Sequence, residues 1–351
     1  MDFNMSDDRR MLADSLGRFL AEQYPITHRN AVAYNAPWHD PAKWDALVEL
    51  GVVFALVPED QGGMGGAGFD ITAVFAELGR ALCPEPLLPA LMAARLLAAA
   101  GANLEPLLSG TRYGVGLGEL DAPYDLDGIA TMATGGRLTG RKSLVYGGAD
   151  AERFLIVARA DERLALYDIA ARDAQVTGYG LIDGGNAAEV FLDATPATLL
   201  LDDAGAAVQD ALDAGALALS AEALGAMEHA NAVLVDYLKT RQQFGRPIGT
   251  FQALQHRAVD LAIEIEQARS IIILAADAMG RPQQSLRCSQ AKHLVGKAAR
   301  LVAEEAIQMH GGIAMTWEYP VSHYAKRLVM IDHQLGDTDH HLERMMAALQ
   351  E

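Results

Sequence analysis

The stretch DHQLGDTDHH, residues 332–341, places three histidines and three aspartates within ten positions. Imidazoles beside carboxylates can hold a metal, move a proton, or cap and decorate a helix end. The spacing of His333, Asp337, His340 and His341 would bring them to one face of a continuous helix. Gly336 weakens such a helix, so caps and solvated charges are expected here and no metal site is assigned.

Two further stretches carry chemistry: TRQQFGRPIGTFQALQHR at residues 240–257 and AIQMHGGIAMTWEYPVSHYAKR at residues 306–327. Arg241 at a helix end can meet a phosphate through a bidentate fork, Gly245 and Pro247 close a tight turn, and Gln252 opens the next helix with an amide donor. Gln308, followed by Gly311 and Gly312, supplies an amide and an uncovered backbone that a ligand can approach closely. Read from physics alone, both stretches fit ordinary helix-to-helix corners equally well.

Three zones of texture must position these residues. Up to about residue 112 the pattern is helical, with Ser6 as an N-cap, a second start at Asp40 with Pro41 in the first turn, a stop at Gly51, and a glycine-rich loop before a helix from Ile71 to about Ala81. Residues 113–202 carry short apolar or alternating runs such as RFLIVARA and RLALYDIA between Gly, Asp and Asn turns, which predicts an inserted β domain. Residues 203–351 return to the helical period in long segments, near 206–243, 251–279 and 285–309, that suit an antiparallel bundle. The expected class is α+β: an N-terminal helical domain, a middle β domain and a C-terminal four-helix bundle.

With 351 residues, 51% of them hydrophobic, the chain can build a real core. Its formal charge of −18 argues against nucleic acid or an anionic membrane surface as partner. Cys83 and Cys288 lack any paired spacing and read as free or buried thiols of a reducing compartment. The opening residues carry charge with no apolar segment behind them, and the apolar runs are too short to span a bilayer, so a cytoplasmic location is expected.

The pattern R-x-x-F-G-x-x-I-x-x-F-Q, followed some fifty residues later by Q-x-x-G-G-x-x-x-x-x-E-Y-P, resembles the acyl-CoA dehydrogenase family. The helix, β, helix order runs in register with that family over essentially the whole chain. The resemblance implies a flavoenzyme, usually tetrameric, in which FAD lies between the β domain of one subunit and the C-terminal bundle of its neighbour. By match, contacts to the ADP half of FAD fall on Arg241, Phe244, Gln252, Gln308, Gly311 and Gly312. It further implies α,β-desaturation of an acyl-CoA thioester, a carboxylate removing the α proton, and electron-transfer flavoprotein as acceptor.

Where that carboxylate should stand, the count from Gln308 lands on Leu335. The alternative glutamate position of some members lands at about Gly215. Neither can take a proton. The family's flavin-side threonine is replaced by Tyr146, and its Thr-Glu…Gly-Ser-Asp loop survives only as GLGELDAPYD, in which Glu119 matches and the Gly-Ser-Asp element is missing. The chain is therefore similar to the small, base-lacking subunits of heteromeric members such as pimeloyl-CoA dehydrogenase. That implies an α2β2 heterotetramer with a catalytic homologue in place of a homotetramer. Two alternatives stay open: a self-sufficient dehydrogenase with a relocated base, Asp337 first and Asp213 second, or a non-catalytic assembly subunit. His256, His293 and His323 read as surface or core contacts, Met279, Met309 and Met315 as packing, and Trp317 as a pocket wall or buried anchor.

Overall fold

The computed structural model describes residues 6–349. Helix α1 (Asp7–Gln23) starts where Ser6 accepts from Arg9 N. It is followed by α2 (Ile26–Ala33) and α3 (Pro41–Glu49). The Asp40 side chain caps α3 by accepting from Ala42 N and Lys43 N, and Gly51 follows the helix at φ 86°. Then come α4 (Val52–Ala55), α5 (Gly68–Ala81), α6 (Leu87–Ala99) and α7 (Glu105–Leu108). The cap, proline and glycine signals thus act where the sequence puts them, because each satisfies or spares a backbone group that a helix end leaves open.

The strands are β1 (Tyr113–Gly116), β2 (Met132–Thr134), β3 (Arg137–Tyr146), β4 (Arg153–Ala160), β5 (Arg163–Ala170), β6 (Gln175–Gly180), β7 (Asn186–Pro196) and β8 (Thr198–Leu201). They form one sheet in the order β6-β7-β3-β2-β4-β5-β8, with β1 pairing β4 in parallel. Phe154 to Ala158 of β4 are all fully buried, as a continuous apolar run on a central strand requires. Three strands escaped the reading of the sequence. β6 alternates weakly (QVTGYG) and is mostly exposed at the sheet edge, and β2 and β8 are too short to show a period.

The chain then folds into α8 (Gly205–Thr240), a two-residue ladder β9 (Gln242–Gln243) with β10 (Arg246–Pro247), α9 (Gln252–Ala278), α10 (Gln284–His310), α11 (Val321–Asp332) and α12 (Thr338–Ala348). Helix α8 stops three residues before its expected end because Gln242 and Gln243 pair into the hairpin.

In space the chain groups into two compact units. One holds Thr27–Asp70 and Pro84–Gly215, and so contains the sheet; the other holds, of the described residues, 6–26, Ile71–Cys83 and 216–349. The sheet unit buries a core of Leu138, Val145, Phe154, Ile156, Tyr167, Ile169 and Val190, each such side chain contributing roughly 1.5–3 kcal/mol. It also buries His39, whose Nδ1 meets Glu85 at 3.1 Å and whose Nε2 meets Asp150. In the helical unit α5 crosses α8 at reciprocal glycines. A Cβ on Gly79 would lie 1.9 Å from the Glu222 carbonyl oxygen, and one on Gly225 would lie 1.9 Å from that of Ala76. Backbone meets backbone there, and a bidentate Arg327–Glu222 pair at 2.6 and 2.8 Å lies beside the crossing.

Candidate functional site

The two motif stretches meet in the helical unit. Tyr237, one turn before Arg241, packs its ring 4.6 Å from that of His310, and Tyr319 closes the cluster at 5.2 Å from His310. Beneath them Ala306, Ala314 and Val321 form a small core with Val233 and Ile307. The end of α8, which leads into Arg241, and the end of α10, which carries Gln308, therefore pack against each other at one edge of the unit.

That edge is open. Arg241, Gln252, Gln308, Gly311 and Gly312 are all exposed, and Phe244 is 90% exposed. Among the described residues, no hydrogen-bond or ion-pair partner meets the side chains of Arg241, Gln252 or Gln308. Phe244 and Gly245 sit at φ 55° and 77° between β9 and β10, the signs a two-residue type I′ turn demands. A non-glycine residue in this region costs about 1–2 kcal/mol, and here it holds an aromatic ring out in water. A Cβ on Gly311 or Gly312 would meet nothing within 4 Å, so their backbone is bare on the side where a side chain would project. Met315 and Trp317 extend the patch at 75% and 51% exposed. The expected core packing holds for Met309, which is buried, and fails for Met315, because the short 3-10 turn Gly311–Met315 turns its last side chain outward.

The residues 332–341 do not share a helical face. α11 ends at Asp332 with His333 as its C-cap, Leu335 and Gly336 turn the chain at φ 56° and 102°, and α12 starts at Thr338. Asp337 is the N-cap of α12, its carboxylate accepting from His340 N at 2.8 Å. The linker rests on a residue the sequence reading passed over. Lys292 of α10 is fully buried and donates its ammonium to the carbonyls of Ile331 (2.9 Å), Asp332 (2.9 Å) and Gly336 (2.8 Å). Burial pushes its pKa down to about 8 despite Asp332 and Asp337 nearby. His341 donates Nε2–H to the Leu335 carbonyl, leaving Nδ1 buried without a partner, and burial pushes its pKa down to about 3. Among the described residues, no group of three or more His, Cys, Asp or Glu is arranged to hold a metal ion. Asp213, two residues before Gly215, is buried and accepts from Gln209 at 2.8 Å.

In the sheet unit Glu119 is already spent. Its carboxylate accepts from Ala130 N (2.8 Å), Thr131 N (3.0 Å), Thr131 Oγ1 (2.6 Å) and Lys142 Nζ (2.7 Å). Four donors match the roughly four lone-pair sites that a carboxylate offers. Lys142 is fully buried, and its pKa falls to about 8 because burial outweighs the attraction of Glu119. Burial alone would raise the Glu119 pKa, but the bonds from Lys142 and Thr131 hold it below the usual value. Tyr146 lies in register opposite Ala187 on β7. The signal for Lys142 was available: in RLTGRKSLVY it stands at an inward position of a strand, where an ammonium needs a buried partner.

A helical, sheet and helical chain with this hairpin and this open double-glycine corner has the architecture of a flavin-dependent acyl-CoA oxidoreductase. The chain belongs to the acyl-CoA dehydrogenase family. Residues 6–103 match the family model for the acyl-CoA dehydrogenase N-terminal domain, and residues 204–350 match that for its C-terminal domain. Acyl-CoA dehydrogenase IpdE2 of Mycolicibacterium smegmatis is 31% identical over 98% of this chain and 99% of its own. IpdE2 of Mycobacterium tuberculosis is 33% identical over 92% and 91%. Among solved structures, the ChsE4-ChsE5 complex from Mycobacterium tuberculosis superposes with a TM-score of 0.91 at 25% identity, over 100% of this chain and 99% of that one. A variant of the Tcur3481-Tcur3483 steroid ACAD gives 0.89 at 27% identity, over 98% of both chains. FAD is the cofactor of the family. Its phosphates and adenine demand cationic, amide and bare-backbone contacts of the kind the Arg241–Gln308 edge leaves uncommitted, so the residues there fit the group.

Proposed function

We propose that this chain is the base-lacking subunit of a heteromeric acyl-CoA dehydrogenase, and that it completes the FAD site of a glutamate-bearing partner. The observation that carries the reading is Asp337. The only acid on the Leu335 linker itself is engaged as a helix cap, and Leu335 has no proton-accepting atom. Bound FAD supplies the hydride acceptor for desaturation of the thioester. In this reading Arg241 and Gln308 hold the dinucleotide by charge and amide contacts, Phe244 gives it an apolar face, Gln252 a further amide, and Gly311 and Gly312 let it approach the backbone. The partner contributes the carboxylate that removes the α proton. Two solved relatives carry names that join two components, ChsE4-ChsE5 and Tcur3481-Tcur3483, and this supports an α2β2 heterotetramer over a homotetramer. Electron-transfer flavoprotein is then the acceptor.

Co-expression with a glutamate-bearing homologue tests the proposal. The complex is expected to purify yellow and to oxidise acyl-CoA, while the lone chain purifies with little flavin and no turnover. Full flavin loading and strong activity of the lone chain would overturn it. An assembly subunit without a cofactor role would leave flavin retention in the complex unchanged by Arg241→Ala.

A further inference from the structure

A cleft in the sheet unit lies apart from every residue assigned above. It measures about 730 Å³ and runs between the end of α6, α7 and the β1, β5 and β8 strands. That volume falls in the range of small-molecule pockets, and its walls have their composition: mainly apolar, with a few polar groups converging. Leu97, Pro106 and Leu200 supply apolar wall.

The polar groups divide sharply by hydrogen-bonding role. The acceptors are largely taken. Asp168 receives Arg153 bidentately at 3.0 and 2.5 Å, the Asn103 side-chain oxygen accepts from Glu105 N at 3.0 Å, and Glu152, at the rim, accepts from Arg112 N at 3.1 Å with one oxygen left over. Of the donors, Arg153 is taken by Asp168, but two others are not. Among the described residues, the Arg172 guanidinium has no partner although it lines the cleft. The Tyr113 hydroxyl likewise has none, and that residue is only 4% exposed. Burial, with Asp168 next, raises the Tyr113 pKa and keeps the phenol a donor. Charges on the lining cancel, with Arg153 and Arg172 against Asp168 and Glu152.

A site whose uncommitted inner groups are a guanidinium and a phenol, with the spare carboxylate oxygen of Glu152 only at its rim, favours a ligand rich in acceptors, and the apolar wall selects a hydrocarbon body. We propose that this cleft binds a small carboxylic acid with an apolar body, its carboxylate held by Arg172 and Tyr113 and its hydrocarbon by Leu97, Pro106 and Leu200.

Calorimetric titration of the full chain with sodium benzoate and sodium hexanoate tests it, with benzamide as the uncharged isostere. The expected result is saturable binding of at least one acid, weakened roughly tenfold by Arg172→Ala and severalfold by Tyr113→Phe, with benzamide about tenfold weaker than benzoate. Arg163→Ala, which removes an exposed arginine outside the cleft, should leave the titration unchanged. Neither cleft variant removes a bond the fold uses, so unfolding midpoints should stay at the wild-type value and serve as the control. Absence of saturation for both acids, equal binding of benzamide, or wild-type affinity in both cleft variants would overturn the proposal.

Discussion

The open corner around Arg241 and Gln308 and the closed loop around Glu119 differ in how their polar groups are spent. At the corner an arginine and two glutamines have no side-chain partner among the described residues, a phenylalanine is held at positive φ in water, and two glycines bare their backbone. At the loop one carboxylate absorbs four donors, including a fully buried lysine. Unspent groups on an exposed edge are groups kept for something outside the chain, whereas satisfied buried groups are scaffold. The sharpest way to break this contrast is Lys142→Ala. It strands Glu119 without its cation and should cost about 3–5 kcal/mol in urea unfolding of the full chain. An unchanged midpoint would mean that the loop is not a scaffold.

Arg241→Ala is the reciprocal experiment. With no intrachain bond to lose, the fold should shift by no more than about 0.5 kcal/mol. FAD retention in the co-expressed complex should fall by roughly 10- to 100-fold, the worth of one charge-assisted contact at about 1.5–3 kcal/mol. Equilibrium dialysis of the complex measures it, and wild-type retention would move the arginine out of the cofactor edge.

The satisfied interior should also dominate the pH response. Burial works against a charge on His39, but its bonds to Asp150 and Glu85 win and raise its pKa to about 9. A folded pKa above the unfolded value of about 6.5 means that the native state binds the extra proton, so this stability is complete below pH 6.5 and drains as pH climbs toward 9. His341 has the opposite sign. Held neutral by burial to about pH 3, it costs stability as pH falls below 6.5, because the unfolded chain takes the proton first. The two histidines together place a maximum near pH 6.5 and a fall of about 1 kcal/mol between pH 6.5 and 8. Lys142 and Lys292, whose pKa values are lowered to about 8, work in the other direction: they offset part of that fall from about pH 7 upward and reverse it above pH 8. His39→Gln should remove the fall between pH 6.5 and 8; a slope that survives it would place the titrating group elsewhere.

The helices and most strands were legible because their signals are local. Ser6, Asp40 with Pro41, and the apolar runs of β4 and β5 declare themselves within a few residues. The edge strand β6 did not, since a mostly exposed strand needs no apolar alternation. The residues of the proposed cofactor edge were picked out by motif resemblance, but their exposure could not be read from the sequence, because it depends on how α8 and α10 end beside one another. For Lys142 the inward strand position was legible but the partner was not, and Lys292 gave no signal, for a related reason. Their partners, Glu119 and the carbonyls of residues 331–336, lie 23 to 44 positions away in sequence. The cluster at 332–341 could share a helical face only if Leu335 and Gly336 stayed helical, and Gly336 already argued against that in the sequence. Both are left-handed.

Asp337 carries the smallest expected effect and the finest discrimination. As the N-cap of α12 it satisfies His340 N, so Asp337→Ala should cost about 1 kcal/mol while Asp337→Asn, an equally good cap, should cost almost nothing. A general base responds to the same pair differently: asparagine cannot accept the proton, and turnover would drop by about 10²- to 10⁴-fold in both variants. Steady-state acyl-CoA oxidation by the complex, read beside the unfolding midpoints, separates the roles without ambiguity about folding, because Asp337→Asn keeps the cap while deleting the base. Unchanged turnover in Asp337→Asn with a slightly lowered midpoint in Asp337→Ala places the carboxylate with the spent groups of the molecule, alongside Glu119.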